Sequence, residues 1–172
     1  LKEIQVPQAA AMGVAVENSK IAVMNGEISL PQFDSLNRQR FYVDVFNKGK
    51  TPFKFSATAN APWILISRSD DEAQTKKSQA SHVVSYKIEK QQRLWISVDW
   101  NKIPNGRNAG KIKISGNGSE VVVNISALNP SEPTRDSLQG FAEGDGYVSI
   151  EAGHFTKNLD AGSNRWINIP DY

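Results

Sequence analysis

The sequence predicts an all-β fold. Three observations carry that expectation: from Arg40 onward apolar residues recur with period two, turn formers punctuate the chain at short intervals, and no helical periodicity appears between Arg40 and Leu128. A strand points alternate side chains to opposite faces, so this pattern buries one face and wets the other.

Taken in order, "RFYVDVFNKG" offers Phe41, Val43 and Val45 to one face and ends in a turn at Asn47 to Gly49. "FKFSA" follows with Phe53 and Phe55 on one side, and the pair is predicted to be a hairpin. "PWILIS" is a nearly continuous apolar run after Pro62, as expected of a strand that is buried on both faces or crosses between sheets. Ser67 to Ser81 carries charges of both signs and little to bury, which predicts an exposed loop. "HVVSYKIEKQQRLWISVDW" supplies two strands around the polar Glu89 to Gln92 turn. The second alternates Leu94, Ile96, Val98 and Trp100 against Arg93, Trp95, Ser97 and Asp99. "KIKIS" and "VVVNIS" flank Asn117-Gly118, a dipeptide that tolerates the positive φ angles of a tight hairpin turn. Strands in this number and spacing describe an immunoglobulin-like β-sandwich over residues 30–128. The chain has no Cys, so Trp63 with Trp95 or Trp100 is expected to fill the place of a core disulfide.

The flanks read differently. Residues 1–29 are expected to be an extension from an upstream domain, with weakly helical composition around Ala9 to Met12 and an N-terminus that reads as a cut. Residues 129–146 are rich in Pro, Ser and Gly and predict a linker. Strand-like patterning resumes in Tyr147 to Phe155 and Arg165 to Ile169, so residues 147–172 read as the first strands of a truncated, jelly-roll-like C-terminal β domain. Two strands bury no core alone. Tyr147, Val148 and Ile150 are therefore expected either to dock on the sandwich or to lack their neighbours.

Composition removes several function classes. The 20 basic and 18 acidic residues give a formal charge of +2, and no basic cluster exceeds Lys76-Lys77, so no nucleic-acid footprint is visible. No apolar run approaches the roughly 18 residues needed to cross a bilayer. Without Cys, thiolate chemistry and Cys-ligated zinc are excluded. His82 and His154 are the only histidines, with neither an HExxH pair nor a GxSxG elbow, and structural or solvated roles are expected for both. Asp70, Asp71 and Glu72 sit in the mixed-charge loop and read as solvated. "GFAEGDG" lacks the features of a phosphate-binding loop and reads as linker. No catalytic residue, metal ligand or cofactor site is predicted.

The four Trp are more informative, because an exposed ring stacks on the apolar C–H face of a sugar. If Leu94, Ile96 and Val98 face the core, Trp95 is on the outer face; a one-residue register flip exchanges it with Trp100. Trp95 and Trp100 are the candidate carbohydrate-binding residues, and an exposed Trp equally suits a contact between domains.

Five stretches, "AAMGVAVENS" (Ala10–Ser19), "LPQFDSLNRQRFYVDVFNKGKTPFKFSA" (Leu30–Ala57), "PWI" (Pro62–Ile64), "RLWISVDWNKIPNG" (Arg93–Gly106) and "GFAEGDGYVSIEAGHFTKNLDAGSNRW" (Gly140–Trp166), together resemble the C-terminal, post-catalytic region of glycoside hydrolase family 115. These are xylan α-(4-O-methyl)glucuronidases. The resemblance implies a non-catalytic accessory region with the catalytic domain elsewhere in the same parent chain, a homodimer and a polysaccharide as further candidate partners, and export to the periplasm or the extracellular space. The last stretch also resembles the first strand of carbohydrate-binding jelly rolls, where an "EAE" motif lends carboxylates to a structural calcium. Glu151 matches the first position, but Gly153 stands at the second, so no metal site is implied.

Overall fold

The computed structural model describes residues 5–68, 82–144, 146–148, 150, 157, 159, 162–165 and 167. Among them the chain forms no helix and ten strands. The first five are β1 (Met12–Val16), β2 (Gly26–Ser29), β3 (Phe33–Asp34), β4 (Phe41–Asn47) and β5 (Phe53–Ala59). The second five are β6 (Ile64–Ser67), β7 (Val83–Ile88), β8 (Gln91–Val98), β9 (Gly106–Gly116) and β10 (Ser119–Asn129).

Two sheets face each other. The four-stranded sheet runs β1-β4-β8-β6, antiparallel throughout, and the six-stranded sheet runs β2-β10-β9-β5-β7, with β3 also paired to β10. In the first sheet the first strand lies beside the second long strand, which lies beside β8. In the second, β10, β9 and β5 are neighbours. That order is the immunoglobulin-like sandwich the sequence predicts. β2 and β3 both run parallel to β10, so the segment after β1 changes sheets and closes the far edge.

The core forms where the alternating apolar rows meet. Val43, Val45, Leu94, Ile96, Ile64 and Ile66 project from one sheet, and Phe55, Ala57, Ile112, Ile114, Val121 and Val123 from the other; all are buried. Phe33 and Phe41 meet edge to face across this core, with centroids 4.8 Å apart. Trp63 is buried at its rim, and Trp100 packs against it partly covered from the turn after β8.

Three expectations change. The segments ending in Val45 and beginning at Phe53 do not form a hairpin: β4 pairs with β1 and β8, and β5 with β7 and β9. Residues 48–52 carry the chain across the sandwich, so the two apolar rows oppose each other, which buries both without either covering the other's edge. Asn47 fixes that crossing. Its Oδ1 accepts from the Gly49 and Ala11 amides, and its Nδ2 donates to the carbonyls of Thr51 and Glu89.

Ala9 to Met12 is not helical. The Ala11 carbonyl accepts from Lys48 N, and from Met12 the chain is strand β1, whose Met12, Val14 and Val16 enter the core. The third change concerns the boundary expected at residue 30: β1 and β2 precede it and give one strand to each sheet. Burial of an alternating face against β4 outweighs the helical preference of a few alanines.

Of the two alternatives for Tyr147, Val148 and Ile150, the undocked one is found: they are 73%, 51% and 65% exposed. The strands expected within Tyr147–Phe155 and Arg165–Ile169 lie largely outside the described residues. The Asn117-Gly118 turn, in contrast, is as expected. Both residues have positive φ, 47° and 76°, and Gly116 pairs with Ser119, which is the geometry of a two-residue hairpin turn matched to strand twist.

Candidate functional site

The two outer faces of the sandwich differ in chemistry. On the six-stranded sheet the outward positions are mostly polar, apart from Val83, Val122 and Leu128, with Lys111 paired to Glu27 at 3.5 Å and Lys113 to Glu120 at 2.7 Å, all four well exposed. Hydrogen bonds first, from Asn124 to Glu27 and from Lys113 to Glu120, hold both carboxyls below their ordinary range, with the lysine charges adding to the effect. This is a solvated face. Its cleft of about 320 Å³, beside Ser29, Asn60, Lys111 and Asn124, has no aromatic in its lining. Its polar groups are engaged within the protein: Asn60 Oδ1 accepts from Lys111 N, and Asn124 Nδ2 donates to Glu27.

The outer face of the four-stranded sheet carries aromatics instead. β4 buries Phe41, Val43 and Val45, so Tyr42, Asp44 and Phe46 turn outward; β8 buries Leu94, Ile96 and Val98, so Arg93, Trp95 and Ser97 turn outward. The register sets Tyr42 opposite Trp95 and Asp44 opposite Arg93. Cross-strand neighbours of this kind touch.

The Tyr42 and Trp95 rings meet edge to face, 5.8 Å apart at 76°. The Arg93 guanidinium lies 3.8 Å above the Tyr42 ring and 6.0 Å from that of Trp95, while that of Arg40 stands 5.5 Å over Trp95. Arg93 also donates from Nε and Nη2 to the two carboxylate oxygens of Asp44, at 2.8 and 2.7 Å. That fork holds it in one orientation. The hydrogen bonds to Asp44 chiefly, with the charge of Asp44 and the further influence of Tyr42 and Glu17, raise the guanidinium above its ordinary value against a smaller opposing effect of burial. Glu17 anchors the strand itself: its Oε2 accepts from Tyr42 N at 3.0 Å.

Of the two Trp singled out by sequence, then, only Trp95 belongs to this outer face. Trp100 packs on the core from the following turn. Tyr42, Asp44, Arg93 and Arg40 are the residues that sequence reasoning missed. The signal for Tyr42 and Asp44 was present in their alternation with Phe41, Val43 and Val45, but their meeting with β8 depends on a register between strands 49 residues apart.

Among the described residues no further candidate from the sequence assembles a reactive group. His82 donates from Nδ1 to the Ile64 carbonyl at 2.9 Å, a bond that ties the start of β7 to β6. Among the described residues no cluster of three or more His, Asp or Glu is placed to hold a metal ion. Asp70, Asp71, Glu72, Glu151, Gly153 and His154 lie outside the described residues.

Past β10 the chain reaches the stretch on which comparison with known families bears. Residues 140–172 match the glycosyl hydrolase family 115 C-terminal domain. The matched stretch is a minority of the chain and begins after the sandwich. No curated protein sequence matched the chain. Among solved structures, a PapD-like domain of human CEP192 aligns with 14% identity over 77% of this chain and 94% of that one, at a TM-score of 0.42. The major fimbrial subunit AggA from Escherichia coli aligns with 8% identity over 74% of this chain and 99% of that one, at 0.40. The CupB6 tip adhesin from Pseudomonas aeruginosa aligns with 10% identity over 78% and 44%, at 0.39. Likenesses this distant add nothing to what the strand order already says of the fold. Among the described residues no helix is long and apolar enough to cross a membrane.

Proposed function

We propose that the chain is a non-catalytic accessory region of a xylan-active α-(4-O-methyl)glucuronidase of glycoside hydrolase family 115. In this reading the β-sandwich braces the catalytic domain of the same parent chain, residues 129–146 link it onward, and residues from 147 begin a C-terminal β domain. The match of residues 140–172 to the C-terminal domain of that family carries the proposal. The outer face of the four-stranded sheet is the surface this role would use. Tyr, Trp and Arg are the residues enriched at the energetic centres of protein interfaces, and here they stand together on one sheet face while the opposite face is a field of Lys and Glu. The same face would serve a homodimer. Export follows from the proposed substrate, since polymeric xylan lies outside the cell.

The test is enzymatic and genetic together. The purified chain is expected to release no uronic acid from glucuronoxylan, and the reading frame around this stretch is expected to continue upstream into a catalytic region. Release of glucuronic acid by the chain alone would overturn the proposal, as would a reading frame bounded by this stretch. Sedimentation of the chain at rising concentration, with and without Arg93→Ala, separates the dimer from the intramolecular contact.

A second reading makes the chain a xylan-binding module through Trp95, favoured by the position of that ring on an outer sheet face. Engagement of Trp95 by Arg40 over its ring and by Tyr42 at its side supports the protein-contact reading over a flat sugar platform. Retarded migration in native gels containing xylan, lost in folded Trp95→Ala, would reverse that preference.

A further inference from the structure

The loop that follows β3 is built with unusual care for a surface turn. Asp34 is held in place by pairing of β3 with β10, and Ser35 N donates to the Leu128 carbonyl at 3.0 Å. The Asp34 carboxylate then collects the loop around itself. Its Oδ1 accepts from the amides of Leu36 and Asn37 at 3.0 and 2.7 Å, and its Oδ2 accepts from the side-chain amides of Asn37 and Gln39. Gln39 returns the bond, its Oε1 accepting from Asp34 N at 3.0 Å. Two side-chain amides are thereby fixed side by side.

Gly144 sits against those amides. A β-carbon at this position would stand 2.7 Å from Gln39 Nε2 and 2.8 Å from Asn37 Nδ2, closer than such contacts occur. Neither amide is free to swing aside without giving up its bond to Asp34. The glycine is also one end of a closed turn: Gly144 N donates to the Tyr147 carbonyl at 2.8 Å, Tyr147 N donates to the Gly144 carbonyl at 3.0 Å, and Gly146 N donates to the Glu143 carboxylate. A hydrogen-bonded turn with a bare backbone face thus meets a pre-set pair of amides. Immediately beyond it Tyr147 and Val148 are exposed.

We propose that the Asp34–Gln39 loop is a receptor for the turn closed by Gly144 and Tyr147, so that the segment past residue 140 leaves the sandwich from a fixed joint instead of a free tether. A Gly- and Ser-rich linker by itself would let the two parts reorient independently. The seat removes that freedom at its last few residues. It fixes where the chain leaves the sandwich, just before the exposed Tyr147 and Val148.

Hydrogen–deuterium exchange on the whole 172-residue chain tests this. The amides of Gly144 and Tyr147 are expected to exchange at least about tenfold more slowly than in an unstructured peptide, since both are bonded within the seated turn. Gly144→Val is expected to remove that protection while the amides of β9 and β10 keep theirs. The Asn37→Ala, Gln39→Ala double variant opens the receptor from the other side, leaves β3 pairing intact, and is expected to do the same. Unprotected Gly144 and Tyr147 amides in the native chain would overturn the joint, and so would unchanged protection in either variant.

Discussion

Tyr42 and Trp95 face each other across β4 and β8 on the outside of the sandwich, ring edge to ring face, with the Arg93 guanidinium laid over Tyr42 and clamped by Asp44. Each member is held by another, so the face is pre-formed in the chain alone. Its stabilising contribution to the isolated chain is nevertheless modest, because Trp95 is only half-buried and Arg93 is 43% exposed in its side chain. Trp95→Ala is therefore expected to cost about 1 kcal/mol in urea unfolding of the chain. Trp63→Ala, which empties a buried site at the core rim, is expected to cost roughly 3–5 kcal/mol. Equal losses for the two variants would mean that Trp95 belongs to the fold and not to a surface awaiting a partner.

Asn47 makes a different kind of claim on stability. One side chain serves two amides, of Ala11 and Gly49, and two carbonyls, of Thr51 and Glu89, where the chain crosses from one sheet to the other. Removing it leaves two part-buried amides and two exposed carbonyls without their partner, and Asn47→Ala is expected to cost about 1–2 kcal/mol. Asn47→Asp keeps the two acceptor bonds and loses the two donated ones, so it should fall between. Urea midpoints of the three proteins check the order; a wild-type midpoint for Asn47→Ala would show that water replaces the side chain at no cost.

The sequence made the faces of strands legible but not their partners. Period two told that Leu94, Ile96 and Val98 share one side of β8 and Trp95 the other, but left open which side meets the core until the burial of the first three settled it. It pointed to a hairpin between β4 and β5, where the chain instead crosses between the sheets. Both outcomes bury Phe41, Val43, Val45, Phe53 and Phe55, and the decision rests on Asn47 hydrogen bonds to residues as distant as Ala11 and Glu89. β1 was hidden for a related reason. "MGVAV" mixes small residues into its alternation, and Ala9 to Ala11 imitate a helix until β4 supplies a partner. The Asn117-Gly118 hairpin was legible in full, since its positive φ angles are a local demand that only certain residues meet. The Tyr42, Arg93 and Asp44 cluster was legible only in its separate strands.

The solvated face is expected to give the chain a small acid sensitivity. Glu27 and Glu120 titrate below their ordinary value of 4.5 in the folded chain, through hydrogen bonds from Asn124 and Lys113 and the charges of Lys111 and Lys113. The unfolded chain lacks those partners and keeps the ordinary value. As pH falls past 4.5 the unfolded state therefore takes up protons first, so the stabilisation is complete above that point and is lost as pH drops through the depressed folded values. Both carboxylates are open to solvent, which makes the effect small and dependent on ionic strength. Urea midpoints measured from about pH 6 to about pH 3 at low salt are expected to fall less steeply in the Glu27→Gln, Glu120→Gln double variant than in the native chain, and the difference is expected to shrink near 1 M salt, where the screening length is about 3 Å. The variant starts lower at neutral pH, because it lacks the ion pairs throughout, and the two curves converge on acidification. Parallel curves would assign the acid sensitivity to other carboxylates and leave these two pairs without a measurable part in stability.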